Sequence, residues 1–337
     1  FTRLTVSMQT RVGGIELVAE AASIIASGGL VAFPTETVYG LGADAFNTEA
    51  VKSTFIAKGR PQDNPLIVHI ASVDDITKVA CDVPEVAYVL LEKFSPGPLT
   101  IVLNKVADLP LTTTGGLQTV GVRIPNHPLA LALIAESGCA ISAPSANTSG
   151  RISPTEAAHV YEDMLGKIPM ILDGGKTSVG IESTVLDLTS AIPTVLRPGG
   201  ITVEMLAEVI GTVVDHKGEV KVASAPGMKY KHYAPTCKCC GAKSSAGAHA
   251  EYARFLANND GKRAVIIGNS EFLSSIANAE QIDIGTYVNE CTSNLFSALR
   301  QAEKEYDYII LQWFEEKEAN FAINNRIHKA TAGYAVE

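Results

Sequence analysis

The sequence lacks any long uninterrupted run of apolar residues, although 46% of its 337 residues are hydrophobic. A helix that crosses a membrane needs about 20 predominantly apolar residues in succession, so we expect neither a transmembrane helix nor a membrane partner. The most apolar stretch near the start, residues 17–33, is interrupted by Glu20 and by Gly28-Gly29. A basic leader with a small-residue cleavage site is also missing, which predicts no secretory signal.

Basic residues are outnumbered: 27 Lys and Arg against 36 Asp and Glu give a net charge of −9. A general nucleic-acid binder needs a broad basic face, so this balance weighs against that class. The six cysteines are irregularly spaced, which favours reduced thiols and a cytoplasmic location. Cys237, Cys239 and Cys240 lie near His232, but their C-x-C-C spacing lacks the paired C-x-x-C of structural zinc sites. No metal site is therefore expected there.

Two common catalytic signatures are absent as well. The chain contains neither the P-loop pattern G-x-x-x-x-G-K-[ST] nor the hydrolase elbow G-x-S-x-G. Residues 40–45, Gly-Leu-Gly-Ala-Asp-Ala, fit the loose dinucleotide fingerprint G-x-G-x-x-A. Pro34 ends the preceding strand early, so we interpret the glycines as a tight bend and keep a dinucleotide site as the alternative.

Hydroxyl and cationic side chains are concentrated in residues 33–69, around a predicted strand, helix and two loops. Such groups beside exposed backbone suit a phosphate or carboxylate ligand. Gly59 and Pro61 fix the loop that carries Lys58 and Arg60. Arginine would supply bidentate contacts and lysine a movable point charge, although a lysine at a helix end can also be a solvated charge.

Further cations and hydroxyls stand beside rigid turns. Arg123 precedes Ile-Pro, and Arg197 precedes Pro-Gly-Gly. Residues 142–153 carry several serines, an asparagine and a threonine, a composition that would also suit an ordinary polar turn. In an acidic chain, the convergence of these cations with Lys58 and Arg60 predicts one anionic ligand.

The chain divides into three parts by pattern. Residues 1–212 mix strands and helices without strict alternation, which predicts an α/β (α+β) fold with a twisted mixed sheet. Residues 213–247 show little periodicity and are interpreted as a linker that could act as a lid. Residues 248–337 alternate strands with helices, which predicts a smaller parallel sheet of Rossmann-like type.

These motifs, taken in order, resemble the YrdC-like family in its long two-domain form, the threonylcarbamoyl-AMP synthases. The resemblance is carried by P-T-E-T-V-Y-G-L-G at 34–42, A-K-G-R-P-x-x-N-P-L-I-V-H at 57–69, F-S-P-G-P-L-T at 94–100, V-R-I-P-x-H-P at 122–128, S-A-P-S-A-N-x-S-G at 142–150, G-I-E-S-T-V at 180–185 and L-R-P-G-G at 196–200. Residues 226–235 resemble the interdomain linker signature of the long form, and residues 325–330 its C-terminal signature.

The resemblance implies that L-threonine, bicarbonate and ATP, with Mg²⁺, give threonylcarbamoyl-adenylate and pyrophosphate. A separate tRNA threonylcarbamoyl transferase machinery would then modify adenosine 37 of tRNAs reading ANN codons. Such a reaction needs positioning and charge neutralisation rather than a covalent protein nucleophile. Two alternatives stay open: a YrdC-like RNA-binding module with weak tRNA contact and no adenylation, and O-carbamoyl transfer as in hydrogenase maturation.

The resemblance also implies the site residues. Threonine would meet Thr37, His69, Arg123, Ala143 and Ser183. ATP would meet Lys58, Arg60, Asn64, Thr119, Ser145, Asn147, Ser153, Arg197 and Tyr233. Lys58 and Arg60 would be the catalytic pair, Arg123 would pair with the threonine carboxylate, and Tyr233 would close over the nucleotide as part of the linker.

Overall fold

A computed structural model describes residues 8–215 and 233–337, which form two β-sheets with flanking helices. The first sheet has twelve strands in mixed orientation, and the second has five parallel strands. The fold class predicted from the sequence, a twisted mixed sheet with a smaller Rossmann-like unit, is confirmed. None of the described helices is long and apolar enough to cross a membrane.

The first sheet takes its strands from residues 11–215. They are β1 (Arg11–Gly13), β2 (Val31–Phe33), β3 (Gly40–Asp44), β4 (Ile67–His69), β5 (Ala80–Cys81), β6 (Leu99–Lys105), β7 (Thr119–Arg123), β8 (Ile141–Ser142), β9 (Met170–Leu172), β10 (Thr184–Asp187), β11 (Thr194–Arg197) and β12 (Val214–Asp215). Their spatial order is β1-β9-β2-β3-β8-β4-β7-β6-β10-β11-β12, with β5 paired to β6.

Within the described residues 8–215, seven α-helices accompany this sheet. They are α1 (Val18–Ala26), α2 (Thr48–Lys58), α3 (Glu85–Phe94), α4 (Leu111–Thr114), α5 (Pro128–Ser137), α6 (Ala157–Met164) and α7 (Val203–Ile210). Helix α2 shows how local sequence sets the bounds, because the Asn47 side chain accepts hydrogen bonds from two backbone N–H groups of its first turn. Gly59 ends the helix with φ of 61°, a left-handed conformation that glycine adopts without strain.

The second sheet comprises β13 (Lys238–Ala242), β14 (Ala264–Gly268), β15 (Gln281–Asp283), β16 (Tyr308–Gln312) and β17 (Ala335–Val336), in the order β15-β14-β16-β13-β17. Its helices are α8 (Ser245–Asn258), α9 (Ser270–Ser274), α10 (Val288–Glu305) and α11 (Phe321–Ala330). Strand β13 lies inside the segment that the sequence assigned to the linker, so the second unit begins no later than Lys238. Strand β12 lies beyond residue 212 and pairs with β11, so the first unit extends at least to Asp215. The assignment of the chain between the two units to a linker stays a prediction.

The interpretation of Gly40 and Gly42 as a tight bend is wrong, because both belong to strand β3, which pairs antiparallel with β2. A Cβ at Gly42 would lie 2.9 Å from the side chains of Ile141 and Phe33. At Gly40 it would lie 3.2 Å from the Cβ of Ala143. Glycine is therefore required here by close packing between strands rather than by chain reversal.

Strand register brings predicted site residues together in the middle of the first sheet. Strands β4 and β7 are parallel, and His69 lies directly beside Arg123. Strand β8 runs antiparallel to both β3 and β4, and the segment that follows it begins at Ala143. The end of β7 and both ends of β4 thus lie close to β8 and to the start of the segment that follows it, because Ala143 donates its N–H to the Ile67 carbonyl at 2.9 Å.

A buried arginine of the second unit, Arg300, connects it to the first unit. The Arg300 guanidinium on α10 donates to the carbonyl of Ile152 at 2.6 Å and to Asp163 Oδ2 at 2.9 Å. The same carboxylate oxygen accepts from the backbone N–H of Thr148 at 3.1 Å. Arg300 therefore connects α10 to the loop after β8.

Substituting Gly42 with alanine should destabilise the protein by about 1–3 kcal/mol, because the added methyl group overlaps two buried side chains. Gly200→Ala is the matched control, since its Cβ would meet atoms no closer than 3.5 Å. The free energy of unfolding from urea titration measures both. Equal losses would contradict the packing explanation for Gly42.

Arg300→Met should cost about 3–5 kcal/mol, because it leaves the Asp163 carboxylate without its cation in a largely buried position. Arg11→Met removes a comparable ion pair whose side chains are 47% and 49% exposed, and it should cost less than about 1 kcal/mol. Urea unfolding of the two variants makes the comparison. A loss for Arg300→Met as small as that for Arg11→Met would refute the proposed coupling of the units.

Candidate active site

A small cavity of about 50 Å³ lies over the middle of the first sheet, where residues of β4, β7 and the segment after β8 line it. It brings together most of the residues implied by the resemblance. Those in its lining are Thr37, Arg60, His69, Arg123, Ala143, Ser145, Ser183, Arg197 and Tyr233. Residues far apart in sequence thus share one enclosure, and their assignments to particular ligands remain predictions.

Lys58 is fully buried but does not line this cavity. Its ammonium group donates to the carbonyls of Ser145 and Asn147, the second at 2.5 Å. Its side chain instead borders a larger groove of about 700 Å³ on another face. Burial, followed by the charge of Arg60, holds the pKa of Lys58 well below its usual range. In this state Lys58 organises the loop that carries Ser145.

Four more predicted residues do not line the cavity. Ser153 donates to Glu182 Oε1 at 2.5 Å, and Glu182 lines the cavity. Thr119 is the first residue of β7 and pairs with Asn104 of β6. Asn64 and Asn147 are both buried, and among the described residues their side-chain oxygens have no hydrogen-bond partner.

Three guanidinium groups dominate the electrostatics of the cavity. Arg197 donates to the Ser183 carbonyl at 3.0 Å and to its hydroxyl at 3.1 Å. Arg123 donates from Nε to the Gly97 carbonyl at 3.3 Å. All three arginines, including Arg60, are buried. So much buried positive charge in an acidic protein favours anionic ligands.

His69 is neutral at physiological pH. Burial, reinforced by the charge of Arg123, lowers the pKa of His69 to about 3. Its ring meets Phe33 edge-on at 6.0 Å, and within residues 8–215 and 233–337 its Nδ1 has no hydrogen-bond partner. A neutral imidazole with an unused nitrogen can bind a hydroxyl or amine without adding to the positive charge.

Tyr233 covers one side of the cavity from the start of the second described segment. Its ring stacks on Phe296 at 5.2 Å, and its φ of 62° places a non-glycine residue in the left-handed region. Burial, with the charge of Glu182, raises the pKa of Tyr233 to about 12. The rest of the predicted linker signature, residues 226–232, lies outside the described residues.

The second unit reaches the cavity through α11. Arg326 donates to Glu182 Oε2 at 3.2 Å and to the Pro198 carbonyl at 2.6 Å. Burial opposes ionisation of Glu182, but Arg326 and Arg197 outweigh it, so the pKa of this carboxyl is lowered. Lys329 lies 5.9 Å above the Tyr233 ring, and burial lowers its pKa to about 8. One helix of the second unit thus supports both Glu182 and Tyr233.

Sequence reasoning missed several residues of this site. Thr35, Gly40, Pro144 and Glu182 line the cavity, and Glu36 forms an ion pair with Arg123. The two glutamates lie inside motifs that were already recognised, P-T-E-T and G-I-E-S-T. Both glutamates could have been found from their chemistry, because buried arginines need counter-charges and these motifs contain carboxylates.

In the described part of the chain, no group of three or more His, Cys, Asp or Glu side chains could hold a metal ion. Cys239 and Cys240 are neighbours on strand β13, so their side chains point to opposite faces of the sheet. Burial raises the pKa of both thiols. His232, the fourth member of the weighed cluster, lies outside the described residues.

Two family models match the chain. Residues 23–199 match the model described as telomere recombination, which covers Sua5, YciO and YrdC. Residues 201–332 match the model described as the C-terminal domain of threonylcarbamoyl-AMP synthase. Together they span both sheets.

Similar proteins and structures agree with these matches. A threonylcarbamoyl-AMP synthase of Pyrococcus abyssi is 46% identical over 324 residues, which cover 94% of each chain. One of Bacillus subtilis is 44% identical and covers 95% of this chain and 94% of its own. A crystal structure of P. abyssi Sua5 complexed with L-threonine has a TM-score of 0.91 at 44% identity, covering 97% of this chain and 98% of that one. The chain belongs to the threonylcarbamoyl-AMP synthase family.

Proposed function

We propose that this protein forms threonylcarbamoyl-AMP and pyrophosphate from L-threonine, bicarbonate and ATP. The observation that carries the proposal is the small cavity in which Arg60, Arg123 and Arg197 surround a neutral His69. All three substrates carry anionic groups that these guanidinium groups can bind. The arginines are buried rather than spread over a surface, which favours a small-molecule synthase over an RNA-binding module.

The chemistry needs no covalent intermediate with the protein. The neutral amine of threonine attacks carbon dioxide derived from bicarbonate and loses a proton, which gives a carbamate. A carbamate oxygen then attacks the α-phosphorus of ATP in line, and the bond to the β-phosphate oxygen breaks to release pyrophosphate. Positioning and neutralisation of negative charge supply the catalysis in such a transfer.

We assign the threonine subsite to the side of the cavity formed by β4 and β7. Arg123 would bind the α-carboxylate, while Thr37, His69, Ala143 and Ser183 would surround the rest of the amino acid. The neutral state of His69 supports this role, because a positive imidazole would repel the ammonium form of threonine. Burial of each of these side chains would restrict the subsite to a small amino acid.

The ATP subsite would occupy the side that carries Arg60. Lys58, Arg60 and Arg197 would neutralise phosphate charge, and Ser145, Asn147 and Ser153 would supply hydrogen bonds. Asn64 and Thr119 complete the proposed set of ATP-binding residues. The buried, unpaired oxygens of Asn64 and Asn147 support such a role, because ATP offers amino and hydroxyl donors. Lys58 would have to leave the carbonyls that it now binds to reach a phosphate.

Tyr233 would act as part of a lid. Because Tyr233 lines the cavity and is itself buried, this cover would move when threonine and ATP enter. Closure over both would then exclude water from a labile mixed anhydride. The stacking of Tyr233 on Phe296 supplies a resting position for this movement.

Mg²⁺ is proposed to enter with ATP. Glu182 is a carboxylate in the cavity lining, but Ser153 and Arg326 engage its two oxygens. Mg²⁺ commonly keeps several waters and binds through nucleotide phosphates, and no dedicated protein cage is then needed. The metal would neutralise phosphate charge, and the arginines would do so alongside it.

The product is proposed to pass to a separate tRNA threonylcarbamoyl transferase machinery, which would modify adenosine 37. A mixed carbamic–phosphoric anhydride is an activated acyl donor that reacts with an amine and releases AMP. A cytoplasmic location would suit this exchange with tRNA and remains a prediction.

The test is pyrophosphate release with threonine, bicarbonate and ATP present together, compared with omission of each. Arg60→Ala should lower the rate by about 100-fold or more, the loss typical when a charge-stabilising donor is removed from a transition state. Arg11→Ala, an exposed arginine, is the control and should leave the rate unchanged. Threonine-independent pyrophosphate release would overturn the substrate assignment, and wild-type turnover by Arg60→Ala would remove Arg60 from the site.

A further inference from the structure

We propose that Glu36 is a positioning residue that holds Arg123 ready for the α-carboxylate of L-threonine. The inference rests on the proposed function, since it concerns the threonine subsite of the same cavity. Glu36 was absent from the residues implied by the sequence, and its side chain lies beside the cavity lining rather than in it.

The contact between the two side chains is short and buried. Arg123 Nη2 lies 2.7 Å from Glu36 Oε2, and the side chains are 5% and 6% exposed. A guanidinium removed from water needs a nearby counter-charge, or it destabilises the fold by several kcal/mol. Glu36 supplies that charge before any substrate is present.

Both partners are anchored by their backbones. Glu36 lies in the loop that follows β2, and its backbone carbonyl accepts a hydrogen bond from the N–H of Val179 at 2.7 Å. Arg123 is the last residue of β7, and its Nε donates to the Gly97 carbonyl at 3.3 Å. The guanidinium therefore lies between a carbonyl that accepts from its Nε and a carboxylate close to its Nη2, which restricts its movement.

The geometry of the pair leaves donors for a ligand. Although the atoms are 2.7 Å apart, neither Arg123 Nη2 nor either oxygen of Glu36 makes a hydrogen bond of acceptable angle within the described residues. The contact is thus a charge contact in which the N–H groups of Nη2 are not directed at Glu36. Because Arg123 also lines the cavity, its unused N–H groups can bind an incoming carboxylate.

The alternative role for Glu36 is that of an anion that blocks the place of the threonine carboxylate. If Glu36 occupied the place of the threonine carboxylate, threonine would have to displace it, and removing its charge would strengthen threonine binding. The misdirected N–H groups and the position of Glu36 outside the lining both favour the holding role. The two arrangements therefore predict opposite changes in the KM for threonine.

The experiment compares Glu36→Gln with Glu251→Gln in steady-state pyrophosphate release. Glu251 is a matched control, because it is a similarly buried carboxylate paired with an arginine but lies in the second unit. For Glu36→Gln we expect the KM for threonine to rise about tenfold or more, with kcat within about threefold and the KM for ATP unchanged. Glu251→Gln should change none of these. Glu36→Asp, which keeps the charge on a shorter side chain, should give an intermediate KM.

A second readout isolates the carboxylate. Calorimetric affinities of L-threonine and L-threoninamide, measured without ATP, report how strongly the site distinguishes a carboxylate from a neutral amide. Glu36→Gln should reduce this preference, whereas a general loss of packing would weaken both ligands equally. If Glu36→Gln does not fold, the ratio of the L-threonine affinity to the L-threoninamide affinity is measured for Glu36→Asp instead and decides in the same way.

Three outcomes overturn the proposal. They are an unchanged threonine KM, a lowered one, and a parallel loss in kcat and in the KM values of both substrates. Each of these leaves the proposed synthase activity standing, provided that wild-type protein releases pyrophosphate in a threonine-dependent way. Failure of the wild-type reaction itself would instead reject the proposed function.

Discussion

Burial of three arginines around one small cavity is the constraint on which the site depends. Each guanidinium loses its hydration and must be compensated inside the fold. Gly97 and Glu36 compensate Arg123, and Ser183 compensates Arg197 through its carbonyl and hydroxyl. Because these partners lie on different strands and loops, the sheet must be assembled before the arginines can be buried. The anion site is thus a property of the completed fold rather than of one motif.

The same constraint explains why the second unit is part of the site. Glu182 brings negative charge into the cavity lining, and Arg326 of α11 balances it from outside. Phe296 of α10 supports Tyr233 in turn. Removing the second unit would deprive Glu182 of one of the two arginines that stabilise its carboxylate and leave Tyr233 without its stacking partner. The cavity is therefore built by both units, although the ends of the strands come from the first.

Sequence patterns predicted the fold class, and the motifs predicted most of the cavity lining. Prediction failed where the deciding interaction was non-local. Gly40 and Gly42 are typical of a bend, but they lie in strand β3 because Ala143, Ile141 and Phe33 pack against them. Strand β13 was taken for linker because its residues, K-C-C-G-A, show no apolar alternation, and its position next to β16 decides its structure. Glu36 and Glu182 were overlooked because their roles depend on arginines that are distant in sequence.

The proposed binding of threonine and ATP beneath Tyr233 requires this side chain to move, and its contacts set the cost of that movement. Opening must separate Tyr233 from Phe296, which costs about 1 kcal/mol for the stacking alone, in addition to the apolar area exposed. Arg326 and Lys329 lie over the Tyr233 ring as well, so opening of the proposed lid would also loosen these contacts. The hydrogen bonds of Arg326 to Glu182 and to the Pro198 carbonyl do not involve Tyr233, so they could persist while it moves. The proposed lid would thus open without removing the cation that stabilises Glu182.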